Sequence, residues 1–278
     1  QLLDRLREDR LNVAFVAEFS RGKSELINAI FFADYGNRML PSSAGRTTMC
    51  PTELLYDGNK QPCIELLPIQ TRASNSGVTE YKGFPQEWTV TPLDIESPDA
   101  MQDALRHVSE TTRVAPDEAS RLGFEVGEGE IDLYRVGEDG LVEIPRWRHA
   151  IINFPHPLLK QGLVILDTPG LNAIGAEPEL TLSLLPNAHA VLFILAADTG
   201  VTQSDLAIWK EHICGGTSRR GRLVVLNKID GQWDELKTED EINAEIQRQV
   251  QTSAGILDLP VDQVFPVSAQ KGLVAKIN

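Results

Sequence analysis

Residues Ala17 to Ser24 read AEFSRGKS, an [AG]xxxxGK[ST] pattern set between an apolar run, Val13 to Val16, and a helical pattern from Glu25 to Phe32. A strand feeding a glycine-bearing turn into a helix N-terminus leaves backbone N–H groups pointing at one spot, where the helix dipole favours negative charge. The group expected there is a polyphosphate. Lys23 would reach its β- and γ-phosphates, and the Ser24 hydroxyl would ligate Mg²⁺. Glu18, Phe19, Ser20, Arg21, Gly22 and Glu25 complete the expected cradle. Ala17 stands where many such loops carry glycine, so its methyl group predicts a slightly less permissive turn. The alternative is a strand-turn-helix with a coincidental Gly-Lys-Ser.

Three further pieces follow in order, each at the end of a buried-strand pattern. Leu163 to Leu166 runs into Asp167-Thr168-Pro169-Gly170, where the aspartate can hold a Mg²⁺-bound water and the Gly170 N–H can meet a γ-phosphate. Alone this is weak, since the same residues build ordinary turns. Leu223 to Leu226 runs into Asn227-Lys228-Ile229-Asp230. The Asp230 carboxylate can accept from the N1–H and N2–H₂ edge of guanine, a donor pair that adenine lacks. Phe265 to Val267 leads to Ser268-Ala269-Gln270-Lys271, where the Ala269 N–H would meet guanine O6. Four motifs in this order predict an α/β, doubly wound P-loop domain for a guanine nucleotide.

Such a site also needs a threonine that completes the Mg²⁺ shell. Gly45-Arg46-Thr47-Thr48-Met49-Cys50-Pro51 offers two; Thr48 is the first choice and Thr47 the second, the alternative being two loop threonines with local hydrogen bonds.

The stretches VAEFSRGKSELINAI, LPSSAGRTTMCPTE, PHPLLKQGLVILDTPGLN, LFILAADTGVTQSD and VVLNKID resemble the GTPase domain of the dynamin superfamily. The likeness is strongest to its bacterial dynamin-like members and, around LPSSAGRTT, to the mitofusins. It spans almost the whole chain. Phosphate and base motifs are shared by many GTPases, so the likeness rests on LPSSAGRTT, PHPLLKQGLVILDTPGLN and spacing. From Thr48 to Asp167 is 119 positions, more than a minimal regulatory GTPase uses, which predicts an enlarged insertion between the switch regions at 57–150. The resemblance implies GTP hydrolysis by a motor domain, a nucleotide-dependent homodimer through the GTPase face, and membrane contact only through parts outside this chain. Ser20 and Arg21 occupy loop positions that in this superfamily handle the charge between β- and γ-phosphates when two domains meet. Arg21 reads as an internal arginine finger, a phosphate shield or a solvated loop arginine; Arg46 is a weaker candidate for the same task. Leu171 stands where small Ras-like GTPases carry a water-orienting glutamine, so water would be held by backbone near Thr48 and Gly170. The expected catalytic set is Ser20, Arg21, Lys23, Thr48 and Gly170. Alternatives are an assembly module that scarcely turns GTP over and a ribosome-assembly-type GTPase, the latter opposed by the long gap and the acidic charge.

With 278 residues, 42% hydrophobic and 24% charged, the chain suffices for one substantial core. The formal net charge of -14 opposes a nucleic-acid or anionic-lipid surface. Cys50, Cys63 and Cys214 are odd in number and unpatterned, which predicts reduced thiols in a cytoplasmic chain. His107, His149, His156, His189 and His212 share no ligand spacing. Gln1 to Leu11 reads as a leading amphipathic helix that either packs on the sheet or belongs to an adjoining helical bundle, and only ten residues follow Ser268, so the chain reads as stopping within its closing helix. Within the insertion, Thr52 to Tyr56 and Cys63 to Pro68 are strand-like around an Asp57-Gly58-Asn59 turn. Ser97-Pro98 starts a helix predicted to run to about Thr112, with a shorter one after Pro116. Glu125 to Val136 and His149 to Phe154 read as exposed strands, and the acidic residues from Glu125 to Glu143 as a solvated face. Trp233 would pack over the base, against a facing domain, or within its loop.

Overall fold

The computed structural model describes residues 10–40, 50–74, 76–127, 134–168, 185–214, 221–234 and 236–277. In chain order the elements are β1 (Leu11–Ala17), α1 (Lys23–Ile27), β2 (Thr52–Leu55), β3 (Cys63–Pro68), α2 (Val78–Tyr81), β4 (Thr89–Pro92), α3 (Pro98–Arg106), β5 (Thr111–Val114), α4 (Pro116–Arg121), β6 (Val126–Gly127), β7 (Tyr134–Arg135), β8 (Val142–Pro145), β9 (Trp147–Asn153), α5 (Pro157–Lys160), β10 (Leu163–Asp167), α6 (Leu185–Asn187), β11 (Ala190–Ala196), α7 (Gln203–Ile208), β12 (Gly221–Asn227), α8 (Glu239–Leu257), β13 (Val264–Pro266) and α9 (Ala269–Ile277).

Among the described residues nine strands form one sheet in the order β13-β12-β11-β1-β10-β2-β9-β3-β4. From β13 to β10 every pair is parallel, as helical crossovers on both faces require. The alternating side chains of β1 divide between two cores. Ala14 and Val16 join Phe193, Trp209, Val250 and Leu257 on the face covered by α7 and α8, while Phe15 and Ala17 join Ile27, Phe31, Phe32, Met101 and Leu105 on the face covered by α1 and α3. The parallel register sets Phe15 beside Asp167, Ala17 beside Ile194, and Ala196 beside Asn227. The strands therefore end together, and their following loops share one edge.

Beyond β10 the direction changes: β2 is antiparallel to it, β9 is parallel to β2, and β3 and β4 complete the edge in antiparallel pairings. The turn at Asp57 is present, with Lys60 N–H donating to Asp57 O at 3.1 Å, but β2 and β3 do not pair, because β9 lies between them. That position also corrects the expectation of an exposed strand at 149–154: every residue of β9 is buried, and a strand covered on both faces loses its alternation. The helix from Pro98 ends at Arg106 rather than near Thr112. Ser97 caps it, accepting from Ala100 N at 3.3 Å, whereas the β-branched run Thr111-Thr112 and Val114 pairs as β5 with β8. A satellite core of Ile69, Val114, Leu122, Phe124, Tyr134, Val142 and Ile144 lies under these strands and α4.

Leu11, expected to end the leading helix, begins β1 instead; the rest of that segment lies outside the described residues. Among the described residues no helix is long and apolar enough to cross a membrane.

Candidate functional site

The loop after β1 makes its turn with two left-handed residues, Ser20 at φ 63 and Gly22 at φ 86. Gly22 is required twice over, since a Cβ there would lie 2.3 Å from the Asn227 Nδ2. Ala17 is the last residue of β1 and fully buried, so the loop asks no unusual backbone of it, and the expected loss of permissiveness does not arise. Gly22 N-caps α1, and Lys23 and Ser24 stand in its first turn.

Lys23 Nζ donates to Asp167 Oδ1, with both residues largely buried. A small cavity of about 30 Å³ is lined by Ser24, Thr52, Ser109 and Asp167 together with apolar residues, among them Ile27, Leu105 and Ile165. That is room for about one water-sized particle, beside hydroxyl and carboxylate oxygens of the kind Mg²⁺ prefers. Thr168 Oγ1 donates to Phe15 O at 2.9 Å, fixing the end of β10 to β1. Thr48, Thr47, Arg46, Gly170 and Leu171 lie outside the described residues. The stem of the loop carrying the threonines is described: Asn28 donates to Leu40 O and accepts from Leu40 N, both at 2.8 Å. Arg38 grips both oxygens of Glu25 at 2.7 to 3.0 Å. Glu25 thus anchors the loop stem with its carboxylate, a part that the phosphate motif did not assign it.

At the base end, Asn227 ties three segments. Its Nδ2 donates to Arg21 O at 2.9 Å, and its Oδ1 accepts from Ala269 N at 3.0 Å. The Ala269 N–H expected to meet guanine O6 is therefore engaged by Asn227. Lys228 is left-handed at φ 62 and its Nζ lies 3.1 Å from Asp198 Oδ2. Asp230 Oδ1 accepts from Ser268 Oγ at 2.5 Å. Trp233 is exposed, with Lys271 Nζ 5.8 Å from its ring centroid, and Gln270 is exposed at the start of α9. The motif residues from Glu18 to Glu25, Asp167, Asn227 to Asp230 and Ser268 to Gln270 are thus brought to one edge of the sheet.

Arg21 is not solvated. Its guanidinium donates to Glu18 Oε2 at 2.5 Å, to Asp205 Oδ2 at 3.0 Å, to Thr202 Oγ1 at 3.4 Å, and to Thr199 Oγ1. Ser204 Oγ donates to the other Glu18 oxygen at 2.5 Å. Glu18 thus spends its carboxylate on the loop's own arginine. Sequence reading missed Asp205, Thr199, Thr202 and Ser204 as site residues. The signal present was Thr202-x-x-Asp205, a capping-box spacing, which places α7 but does not reveal what its carboxylate faces.

Cys50, Cys63 and Cys214 form no disulfide, and burial raises the Cys63 thiol pKa. Among the described residues no cluster of three His, Cys, Asp or Glu is arranged for a metal. His156 caps α5, accepting from Leu158 N at 3.3 Å, and His189 Nδ1 accepts from Asn12 N at 3.0 Å.

Comparison with known proteins agrees with this geometry. The dynamin family sequence model matches residues 13–229. A bacterial dynamin-like protein of Nostoc punctiforme is 22% identical over 232 residues, which is 84% of this chain and 26% of that protein. A GTPase Der of Polaromonas naphthalenivorans is 32% identical over 133 residues, 44% of this chain and 28% of the relative. The chain thus spans about a quarter of the length of these relatives. A solved structure of an oligomerised bacterial dynamin pair, described as a mechanism for long-range sensing and tethering of membranes, shares the fold with a TM-score of 0.53 at 17% identity, covering 99% of this chain and 36% of that one. With the family model covering most of the chain and the phosphate and base motifs gathered at one sheet edge, this chain belongs to the dynamin family.

Proposed function

We propose that this domain binds GTP with Mg²⁺ and hydrolyses it to GDP and phosphate, as the motor domain of a dynamin-like assembly or membrane-remodelling protein. The observation that carries the reading is Asn227, whose side chain joins the phosphate loop at Arg21 O to the base segment at Ala269 N. One polyphosphate-bearing guanine nucleotide would span these two ends. Lys23 would exchange Asp167 for the β- and γ-phosphates, and Asp230 would exchange Ser268 for the guanine edge. Ser24, Asp167 and Thr48 would hold Mg²⁺, which when bound neutralises charge on the phosphate oxygens. The donor set of one carboxylate and two hydroxyls suits that ion.

For turnover, Ser20 is the exposed residue of the loop and would meet a second copy across the nucleotide face, with Lys23 and the backbone near Thr48 and Gly170 completing the catalytic set and Arg21, its guanidinium held by Glu18 and Asp205, supporting the loop from within. Leu171 cannot orient water, so pairing of two domains supplies what a single one lacks. Specific GTPase activity is expected to rise with protein concentration, and GDP with aluminium fluoride to drive dimer formation. Flat specific activity, with a monomer in the presence of that mimic, would favour a binding module that barely turns GTP over.

A further inference from the structure

The arginine next to Ser20 carries its charge inside the protein. Arg21 is 6% exposed and Asp205 is fully sealed. The residue is held at both ends, its carbonyl by Asn227 and its guanidinium by Glu18 and Asp205. Withdrawing the guanidinium to meet a phosphate would strand Asp205 as an uncompensated buried charge, which is strongly unfavourable. The Asp205 carboxylate has a second duty: the same Oδ2 accepts from Thr202 N at 3.0 Å and Thr202 Oγ1 at 2.8 Å, closing the capping box of α7. One oxygen therefore organises both the start of that helix and the arginine of the phosphate loop. Arg21 also sits between the two left-handed residues, Ser20 and Gly22, a turn that Ser20 adopts only when its surroundings impose it. The network is not saturated, since Arg21 Nε and Asp205 Oδ1 find no partner among the described residues. A cluster serving stability alone would be expected to satisfy them.

We propose that Asp205 and Glu18 are positioning residues of the nucleotide site: they keep the Arg21 guanidinium inside the fold, and through it fix the Ser20–Gly22 turn on which the phosphate donors stand. The proposal deepens the nucleotide-site reading above and rests on it. In this arrangement Arg21 supports ground-state binding of the diphosphate and does not travel to the γ-phosphate as a finger.

GDP, which lacks a γ-phosphate, separates these roles. Equilibrium binding of labelled GDP and GTP is measured for the whole chain carrying Arg21→Gln, Asp205→Asn, or both, with turnover at saturating GTP alongside. Each single change is expected to weaken GDP and GTP alike by roughly tenfold, and the double change by roughly tenfold rather than a hundredfold, because both break one link. Arg21→Lys, which keeps the charge, is expected to recover part of the loss. Parent-like GDP binding by Arg21→Gln with loss confined to turnover would mark a finger and overturn the assignment. So would parent-like GDP binding by Asp205→Asn. Should Asp205→Asn fail to fold, Glu18→Gln takes its place, and parent-like GDP binding by that variant overturns the proposal equally. Failure of the unsubstituted chain to bind either nucleotide would instead sink the nucleotide reading, and this inference with it.

Discussion

Asp167 and Glu53 lie on neighbouring strands, Leu166 facing Glu53 and Asp167 facing Thr52 in the register, and their side chains are buried on opposite faces of the sheet. Each is paired to a lysine. Glu53 is engaged on both oxygens by Lys82 at 2.6 and 2.8 Å and by His149 Nε2 at 3.0 Å. Glu53 on β2 and its two partners, Lys82 just after α2 and His149 on β9, all stand within the extended half of the domain. Asp167 instead ends its strand, beside Ser24 and a small cavity, and its cation comes from the phosphate loop. Buried charge held by its own framework stabilises the fold. Buried charge whose partner belongs to a loop of phosphate-binding type is poised to exchange that partner for a ligand.

The sharpest break of this comparison is Lys23→Ala. Losing the cation that a phosphate takes from Asp167 is expected to weaken GTP binding by about 4 kcal/mol, roughly a thousandfold, with a native circular dichroism spectrum. GTP binding equal to the parent would remove Lys23, and with it AEFSRGKS, from the phosphate site. At the other end of the nucleotide, Asp230→Asn is expected to weaken GTP by about 3 kcal/mol through two charge-assisted bonds and to shift preference toward xanthine nucleotides. Titration with GTP, ATP and XTP checks it; a parent protein that takes ATP and GTP equally would contradict the base assignment.

Glu53 tests the other side. Burial pushes its carboxyl upward, but the hydrogen bond from His149 and the charges of Lys82 and His149 outweigh that and bring its pKa down to about 2, from an ordinary 4.5. A depressed folded pKa contributes stability that is present above about pH 4.5 and is lost as pH falls toward 2. The contribution is about 3 kcal/mol, on the order of the shift itself. Glu53→Gln should therefore lower the urea midpoint at pH 7 and flatten the acid limb between those values, while GTP affinity of the folded protein stays at the parent level. A variant with unchanged stability, or with weakened GTP binding, would erase the distinction between the two carboxylates.

The sequence showed one half of this contrast far better than the other. Phosphate and base motifs are local words: Gly22-Lys23-Ser24 and Asn227 to Asp230 each lie within a few residues of a strand end, so spacing along the chain was enough to place them at one edge of the sheet. Strands β1, β10, β12 and β13 were read within a residue or two, because parallel strands buried on both faces appear as short apolar runs. The extension was harder. Glu53, Lys82 and His149 meet only because β9 inserts between β2 and β3, a pairing across about ninety positions that no local pattern announces. The Arg21 network was hidden for the same reason. Glu18 and Arg21 are three apart, but the carboxylate that seals them arrives from Asp205, on another crossover.

The smallest effect compares two helix starts built alike. Thr202 with Asp205 opens α7 and Thr238 with Glu241 opens α8, each a full capping box. The first packs against the phosphate loop, with Asp205 buried and Thr202 half-buried, whereas the second stands in solvent, where the Thr238 backbone and hydroxyl lower the Glu241 pKa. Removing either threonine hydroxyl as Thr→Ala costs a helix cap, about 1 kcal/mol of stability. At Thr238 that should be the whole effect. Both hydroxyls donate to the carboxylate of their box, but only that of Thr202 also approaches Arg21 and Glu18, each at 3.4 Å, so Thr202→Ala should add a several-fold loss of GDP affinity to a similar fall in stability. Paired urea denaturation and GDP titration of the two variants read both quantities at once. If Thr202→Ala and Thr238→Ala bind GDP equally, the start of α7 is an ordinary helix cap, and the link from that helix to the phosphate loop has no energetic content.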